Sequence, residues 1–534
     1  MGREHSAEIS IRGGMVIDGT GAGRRRADVA IRNGRIEAVG ELGEWNADVV
    51  LEAAGLVVAP GFIDMHTHSD LSLLLNPRAE SKIRQGVTTE VLGQCGFSPA
   101  PAPASQREAV KSSFGEWGEK VDWTWGSFGE YLEAFRVQGT SVNVVPVVGH
   151  GTIRSVVMGQ EDRGPTEGDL RRMRDVVERA MEEGAFGLSS GLYYAPGMFA
   201  DTDELVALAS VMSESGGVYF SHIRGEGRDL LSSVSEAIEI GRRAGVSVQI
   251  SHLKAEGQQH WGRTVEALAL IEEGRESGVD VGFDVYPYTA WNTSLAQMLP
   301  GWAREGGVEA IVSRLTDGAM RARIAEEIAE EAAADPGRWE RRLLASAKTE
   351  RNRRVQGRTI AEISAERGTP PIETVLDILV EERLDASMVG FGMCEEDVRR
   401  VLSHPLATIG SDSASQAPYG VLGEGHPHPR TYGSFARVLG HYAREEKLFS
   451  LEEGVAKMTG RAAERLGLAD RGRIAEGMAA DVVVFDPERV ADVATYEKPH
   501  QYAAGVRWVI VNGVVEMAGE EHRGKLAGRV LKRG

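Results

Sequence analysis

Apolar and polar residues alternate through the first sixty positions, interrupted by glycine-containing turns: Glu8-Ile9-Ser10-Ile11-Arg12, Met15-Val16-Ile17-Asp18-Gly19 and Val29-Ala30-Ile31-Arg32-Asn33-Gly34. A period of two sends successive side chains to opposite faces, so this stretch predicts strands and hairpins with one buried face. The style returns from about residue 473 in Ala480-Asp481-Val482-Val483-Val484-Phe485-Asp486 and Val506-Arg507-Trp508-Val509-Ile510-Val511-Asn512-Gly513. The two ends therefore predict one small split β-sandwich domain, residues 1–58 with 471–534. Over 59–470 short apolar runs alternate with Ala/Glu/Arg-rich helical segments, the βα rhythm of a parallel sheet. Strands are expected at 56–63, 87–92, 142–148, 185–188, 218–220, 246–250, 281–285 and 406–409.

Eight such units predict an α/β fold of the (β/α)8 barrel type, in which all strand carboxyl ends share one face. Those ends carry His66 and His68, Cys95, His150, Ser189 and Ser190, His222, His252, Tyr286 and Tyr288, and Asp412. The stretch from 285 to 406 is too long for one βα unit, and its charged helical character predicts an inserted helical subdomain at 294–356, placed to act as a lid.

Composition narrows the function. With 60 Lys plus Arg against 79 Asp plus Glu, the net charge is −19, which repels phosphate backbones and anionic lipid. Nucleic acid and membrane surfaces are thus not expected partners, while 42% hydrophobic and 26% charged residues describe a globular chain. Two cysteines, Cys95 and Cys394, cannot build a disulfide framework. The start, Met-Gly-Arg-Glu-His, lacks a leader's apolar stretch, and the expectation is a cytoplasmic protein.

Asp64-Met65-His66-Thr67-His68 ends the first apolar run, and alternate residues on a strand point the same way, so both imidazoles can face one ion. His222, His252 and Asp412 stand at later strand ends. Each alone has an ordinary explanation: a satisfied core histidine, or an aspartate capping a helix. Unrelated structural causes would not place all of them at the ends of the correct strands, and together they predict a metal-dependent hydrolase.

The order His-x-His, His, His, Asp on strands one, five, six and eight resembles the amidohydrolase superfamily. Within it, Pro60-Gly61-Phe62-Ile63-Asp64-Met65-His66-Thr67-His68, Gly93-Gln94-Cys95-Gly96, Gly187-Leu188-Ser189-Ser190-Gly191-Leu192, Ser221-His222-Ile223-Arg224, Ser251-His252-Leu253-Lys254 and His426-Pro427-His428-Pro429-Arg430 resemble the N-acyl-D-amino-acid deacylases. The resemblance covers nearly the whole chain. It implies zinc-dependent release of a D-amino acid and a carboxylate from an N-acyl-D-amino acid, with Asp412 as general base. It also implies a tight zinc site at Cys95, His222 and His252, and a second, weaker one at His66, His68 and Asp412 with Cys95 between. Many superfamily members bridge two ions with a carboxylated Lys on strand four, where Ser189 and Ser190 stand here; in this branch Cys95 takes that place.

For the substrate, Lys254, Arg430 and Tyr286 are the choice for the carboxylate. Arg224, Tyr194 and Asn292 are further candidates near the side chain, which is expected to be neutral or hydrophobic because Arg224 is the one further cation nearby. A related amidohydrolase acting on a cyclic amide, a dipeptide or another N-acyl compound is the alternative, and a metal-free scaffold a third. Oligomeric state is left open.

Overall fold

The computed structural model describes residues 6–43 and 45–533; residues 1–5, on which the expectation of no leader rests, lie outside them. Strands from both chain ends enter one nine-stranded sheet, in which Val482–Phe485 pairs antiparallel with both Val57–Pro60 and Val506–Val511, and Ser6–Val16 pairs with Arg25–Arg32, Asn46–Glu52 and Val57–Pro60. Period two explains how this sheet serves two cores. Val58, Val482, Val484 and Ile510 point into a core of its own, while Val57, Ala59, Val483, Phe485, Val509 and Val511 join the large core shared with the barrel.

The predicted first barrel strand, 56–63, is two strands. Val57–Pro60 belongs to the terminal sheet and Phe62–Asp64 to the barrel, where it pairs in parallel with Val87–Leu92. One apolar run thus hides a change of sheet at Gly61, since hydrophobicity alone does not say which layer buries a strand.

The barrel continues through Asn143–Pro146 and Val148–Gly149, then Gly187–Gly191, Val218–His222, Ser247–Ile250, Val281–Val285 and Ala407–Ile409. The third strand is broken at Val147, yet the Val147 amide still donates to Leu92 O at 3.0 Å. Eighth meets first where Met65 N donates to Ile409 O at 3.1 Å and Thr67 bridges Ser413.

The excursion between the seventh and eighth strands differs from the expected helical 294–356. It contains a three-stranded antiparallel sheet, ordered Ala290–Ser294, Ser387–Phe391, Arg342–Ser346, so it closes only at residue 391. Helices Gly307–Thr316, Gly318–Ala333, Ile360–Arg367 and Pro371–Glu381 surround a separate core that includes Leu295, Leu315, Ile324, Leu344 and Leu376. Five-residue strands of mixed polarity, paired with partners far along the chain, leave too short a pattern to read. No helix of the described residues is long and apolar enough to cross a membrane.

Barrel closure rests on a buried ion pair. Lys82, fully buried, donates to Asp64 Oδ2 at 2.8 Å, to Ser411 Oγ at 2.5 Å and to Ser413 O at 3.1 Å. Lys82→Met would strand the Asp64 carboxylate without its counter-charge, and it is expected to cost about 3–5 kcal/mol of unfolding free energy. The measurement is the urea midpoint; Asp64→Leu/Lys82→Met, which removes both charges, should recover part of the loss.

Candidate metal centre and active site

Three strand-end residues turn the chain sharply. Cys95, His252 and Asp412 hold φ values of +55°, +37° and +50°, the left-handed region that is costly for side-chain-bearing residues. The strain is maintained by what surrounds each turn. Before Cys95, Gly93 (φ +80°) brings its backbone so close to Val147 O that an added Cβ would lie 1.9 Å from it, and Ser189 Oγ accepts from Gly96 N at 3.0 Å on the far side of the turn. His252 N donates to Asp284 Oδ1 at 2.8 Å, and Asp412 N to His66 O at 2.9 Å.

These turns aim a set of donors at one point. Cys95 Sγ lies 3.3 Å from His66 Nε2, 3.5 Å from His222 Nδ1 and 3.7 Å from His252 Nε2. Asp412 Oδ1 is 3.5 Å from His66 Nε2 and 3.1 Å from His68 Nε2. One atom from each of His66, Cys95, His252 and Asp412 falls within 4.8 Å of the others, and His222, Glu226 and His252 form an overlapping group. A thiol has one proton, so it can satisfy only one of three neighbouring imidazole lone pairs. A cation among them satisfies all three, and thiolate, imidazole and carboxylate are a zinc-type donor set.

The second ring nitrogens support this orientation. His252 Nδ1 lies 2.9 Å from Glu226 Oε1, and His66 Nδ1 3.5 Å from Asp284 Oδ1. With Nδ1 as the protonated nitrogen facing a carboxylate, Nε2 keeps its lone pair for an ion, the usual outer arrangement of a metal-ligating histidine.

Electrostatics sort the protonation states. Burial, aided by the neighbouring His252, lowers His222 to about 3, and burial holds His66 well below the usual imidazole range; both are neutral at pH 7. Burial pushes the Cys95 thiol well up, with Asp412 adding to it. For Asp412 burial acts upward too, but Arg430, His252, His68 and His66 outweigh it and keep the carboxylate ionised.

Of the residues proposed for the substrate, Arg430 is central: it is 3% exposed, its Nη1 lies 2.9 Å from Asp412 Oδ2, and its guanidinium sits 4.6 Å over the Tyr286 ring. Lys254 reaches Glu226 Oε1 at 2.5 Å, His252 Nδ1 at 2.7 Å and His252 O at 3.0 Å. The Tyr194 and His222 rings meet edge to face with their centroids 4.7 Å apart. Asn292 offers its backbone O to Arg430 at 3.4 Å, while its side chain turns to Met388 O. Arg224 is not brought to the cluster. Its guanidinium is held by Glu236, Met198 O and Ala200 O, which makes it a brace of its loop. His150 is likewise structural, buried against Glu204 at 2.8 Å.

Glu226 and Asp284 escaped the sequence reading. Asp284 had a signal, a lone carboxylate in the apolar strand Val281–Val285, where burial raises it to about 6. Glu226, two residues beyond Arg224 in a polar loop, had none.

Comparison with known proteins shows what the whole chain is similar to. A model of the amidohydrolase family matches residues 49–516. The D-aminoacylase of Alcaligenes xylosoxydans xylosoxydans is 39% identical over 98% of this chain and 98% of its own length. A solved D-aminoacylase structure concerned with its binuclear metal centre superposes with a TM-score of 0.82 at 38% identity, covering 99% of this chain and 100% of that one. So does N-acyl-D-glutamate deacylase from Bordetella bronchiseptica, complexed with zinc and a phosphonate inhibitor, at a TM-score of 0.82, 36% identity and the same coverage.

The protonated Cys95 gives a pH test. An ion needs the thiolate, so uptake of zinc must expel that proton, and affinity must rise with pH. Titrating chelator-treated protein with zinc at pH 7 in weakly buffered indicator solution should release a proton per bound ion. Cys95→Ala should release none and bind at least about tenfold more weakly.

Proposed function

We propose that this chain, which belongs to the amidohydrolase family, is a zinc-dependent N-acyl-D-amino-acid deacylase that hydrolyses the linear amide to a carboxylate and a D-amino acid. The observation that carries the reading is the cluster of Cys95, the histidines and Asp412 with the Arg430 guanidinium against it, in a chain similar from end to end to deacylases.

Cys95, His222 and His252 would hold the tight ion, with His66, His68 and Asp412 contributing to a second, weaker position. Zinc bound there would supply Lewis acidity toward the amide carbonyl and lower the pKa of a water. Asp412 would act as the general base, accepting a proton from the attacking water and returning it to the amide nitrogen as the carbon–nitrogen bond breaks. The acyl group leaves as a carboxylate and the amine as the free amino acid. An ionised Asp412 is needed for the first transfer, and Arg430 on its other oxygen helps to keep it so.

Arg430 also fits the substrate carboxylate. Its Nε is buried with no hydrogen-bond partner among the described residues, and stacking on Tyr286 fixes its plane. Lys254 adds positive charge beside it while its own N–H groups hold Glu226 Oε1 and the backbone O of His252. The 3.1 Å contact between Tyr194 OH and Thr293 of the insert supports a covering role for both at the mouth. A cytoplasmic location and a small-molecule partner, with neither nucleic acid nor lipid, complete the proposal; the charge of −19 and two free cysteines support it.

Release of free amino acid from N-acetyl-D- and N-acetyl-L-methionine, with zinc per chain measured on the same preparation, tests the reading. The expected result is turnover of the D form alone with at least one zinc. Zinc without turnover of either would redirect the reading to cyclic amides, dipeptides or other acyl groups. Asp412→Asn should keep the tight zinc and lose at least about a hundredfold in kcat; near wild-type activity would remove Asp412 from the general-base role.

A further inference from the structure

The insert's small sheet faces the barrel mouth with one row of residues. Trp291 and Arg342 both pair with Gly390, from opposite sides. Thr293, two positions after Trp291 and so on the same face, meets Tyr194 OH at 3.1 Å, and the Tyr194 ring lies against His222. Trp291 lays its indole over Gly390, where a Cβ would be 2.3 Å from the ring. Arg342 stacks its guanidinium 4.7 Å above that indole.

Opposite this row stands Glu256, on the barrel loop two residues after Lys254, its backbone N bonded to Glu226 O at 2.8 Å. Glu256 Oε1 is 3.5 Å from Arg342 Nη2. Arg342 is 7% exposed and its remaining bond is to Arg341 O at 3.3 Å, so this carboxylate is its main neutralising partner. Trp291 is 9% exposed, with Nε1 unpartnered among the described residues. Tyr193, stacked 6.0 Å from His222, adds a further aromatic wall.

We propose that Glu256 determines which N-acyl-D-amino acids this site accepts: by neutralising Arg342 it makes the side-chain pocket one for uncharged side chains that can accept a hydrogen bond from Trp291, and it turns acidic ones away. This rests on the deacylase reading above. The argument is one of charge. A substrate carboxylate reaching the edge of the Trp291–Arg342 stack would meet Glu256 at close range, and like charges in a partly buried pocket are disfavoured. A carboxamide of the same shape meets no such repulsion, and its oxygen can take the free indole N–H. Burial pushes the Glu256 carboxyl up and Arg342 down, Arg342 and Glu256 each opposing the shift of the other.

N-acetyl-D-glutamine and N-acetyl-D-glutamate, equal in shape and different in charge, are the probes. Wild-type enzyme should show kcat/KM at least about tenfold higher for the glutamine compound. Glu256→Gln keeps the shape and frees Arg342, so the glutamate compound should gain at least about tenfold with zinc content unchanged, and the preference should collapse or reverse. Arg342→Met, which leaves Glu256 alone, should further depress the glutamate compound and raise turnover of N-acetyl-D-lysine. A wild-type preference for glutamate would overturn the proposal, as would a Glu256→Gln enzyme that turns over the glutamine compound with the ratio within twofold of wild type. Failure of wild-type enzyme on every N-acyl-D-amino acid, methionine included, would overturn the deacylase reading itself.

Discussion

One buried carboxylate governs the geometry of the mouth. Asp64 Oδ1 accepts from His66 N at 3.3 Å and Ser411 N at 2.8 Å, while Oδ2 takes Lys82 Nζ. It therefore ties the end of the first barrel strand to the end of the eighth at the residues flanking the two histidines and Asp412. Three elements far apart in sequence meet on two oxygen atoms, and the distance between His66 and Asp412 follows from that junction. Barrel strands elsewhere are registered by their ladders, but the eighth pairs with the seventh over only three residues. A fully buried ion pair costs desolvation, and it is tolerated here because its remaining hydrogen-bonding capacity is used on backbone and serine oxygens.

Around this junction the charges are arranged in layers. The neutral His66 and His222 imidazoles and a protonated thiol lie innermost, an ionised Asp412 beside them, and Glu226, Asp284, Lys254 and Arg430 outside, each holding a nitrogen or oxygen of the inner set. The outer layer sets tautomer and orientation, so the inner one is organised before any ion or substrate arrives. The left-handed turns at Cys95, His252 and Asp412 belong to the same economy, since strain persists where neighbours over-determine the backbone.

Much of this was legible in the sequence because two periodicities differ so clearly. Alternation marked the terminal sheet, the βα rhythm marked the barrel, and strand ends carrying His66, Cys95, His222, His252 and Asp412 marked the face. What escaped was set by tertiary packing. The apolar run 56–63 looks continuous because both sheets bury it, although its halves serve different layers. The insert's strands are short and paired over long separations, and Arg224 stands beside a ligand in sequence yet is drawn away by Glu236, an ion pair no spacing rule announces. Glu256 and Arg342 come from a barrel loop and from the insert, so their meeting exists only in the fold.

The terminal sheet has a further consequence for how the chain is made. Ser6–Val16 and Val57–Pro60 are synthesised early, but Val57–Pro60 needs Val482–Phe485 as its antiparallel neighbour, and Arg24 waits for Glu452, 428 residues later. The third barrel strand is also completed late, when Val144 N donates to Arg529 O at 2.8 Å and Leu531 N to Val144 O at 2.9 Å. During translation the first strands therefore leave the ribosome with an open edge and an unmatched apolar face, for a minute or so at about 5–20 residues per second. A chain built this way completes its barrel only once the residues around 530 are available to Val144, and its yield in a cell depends on what shields that edge in the interval.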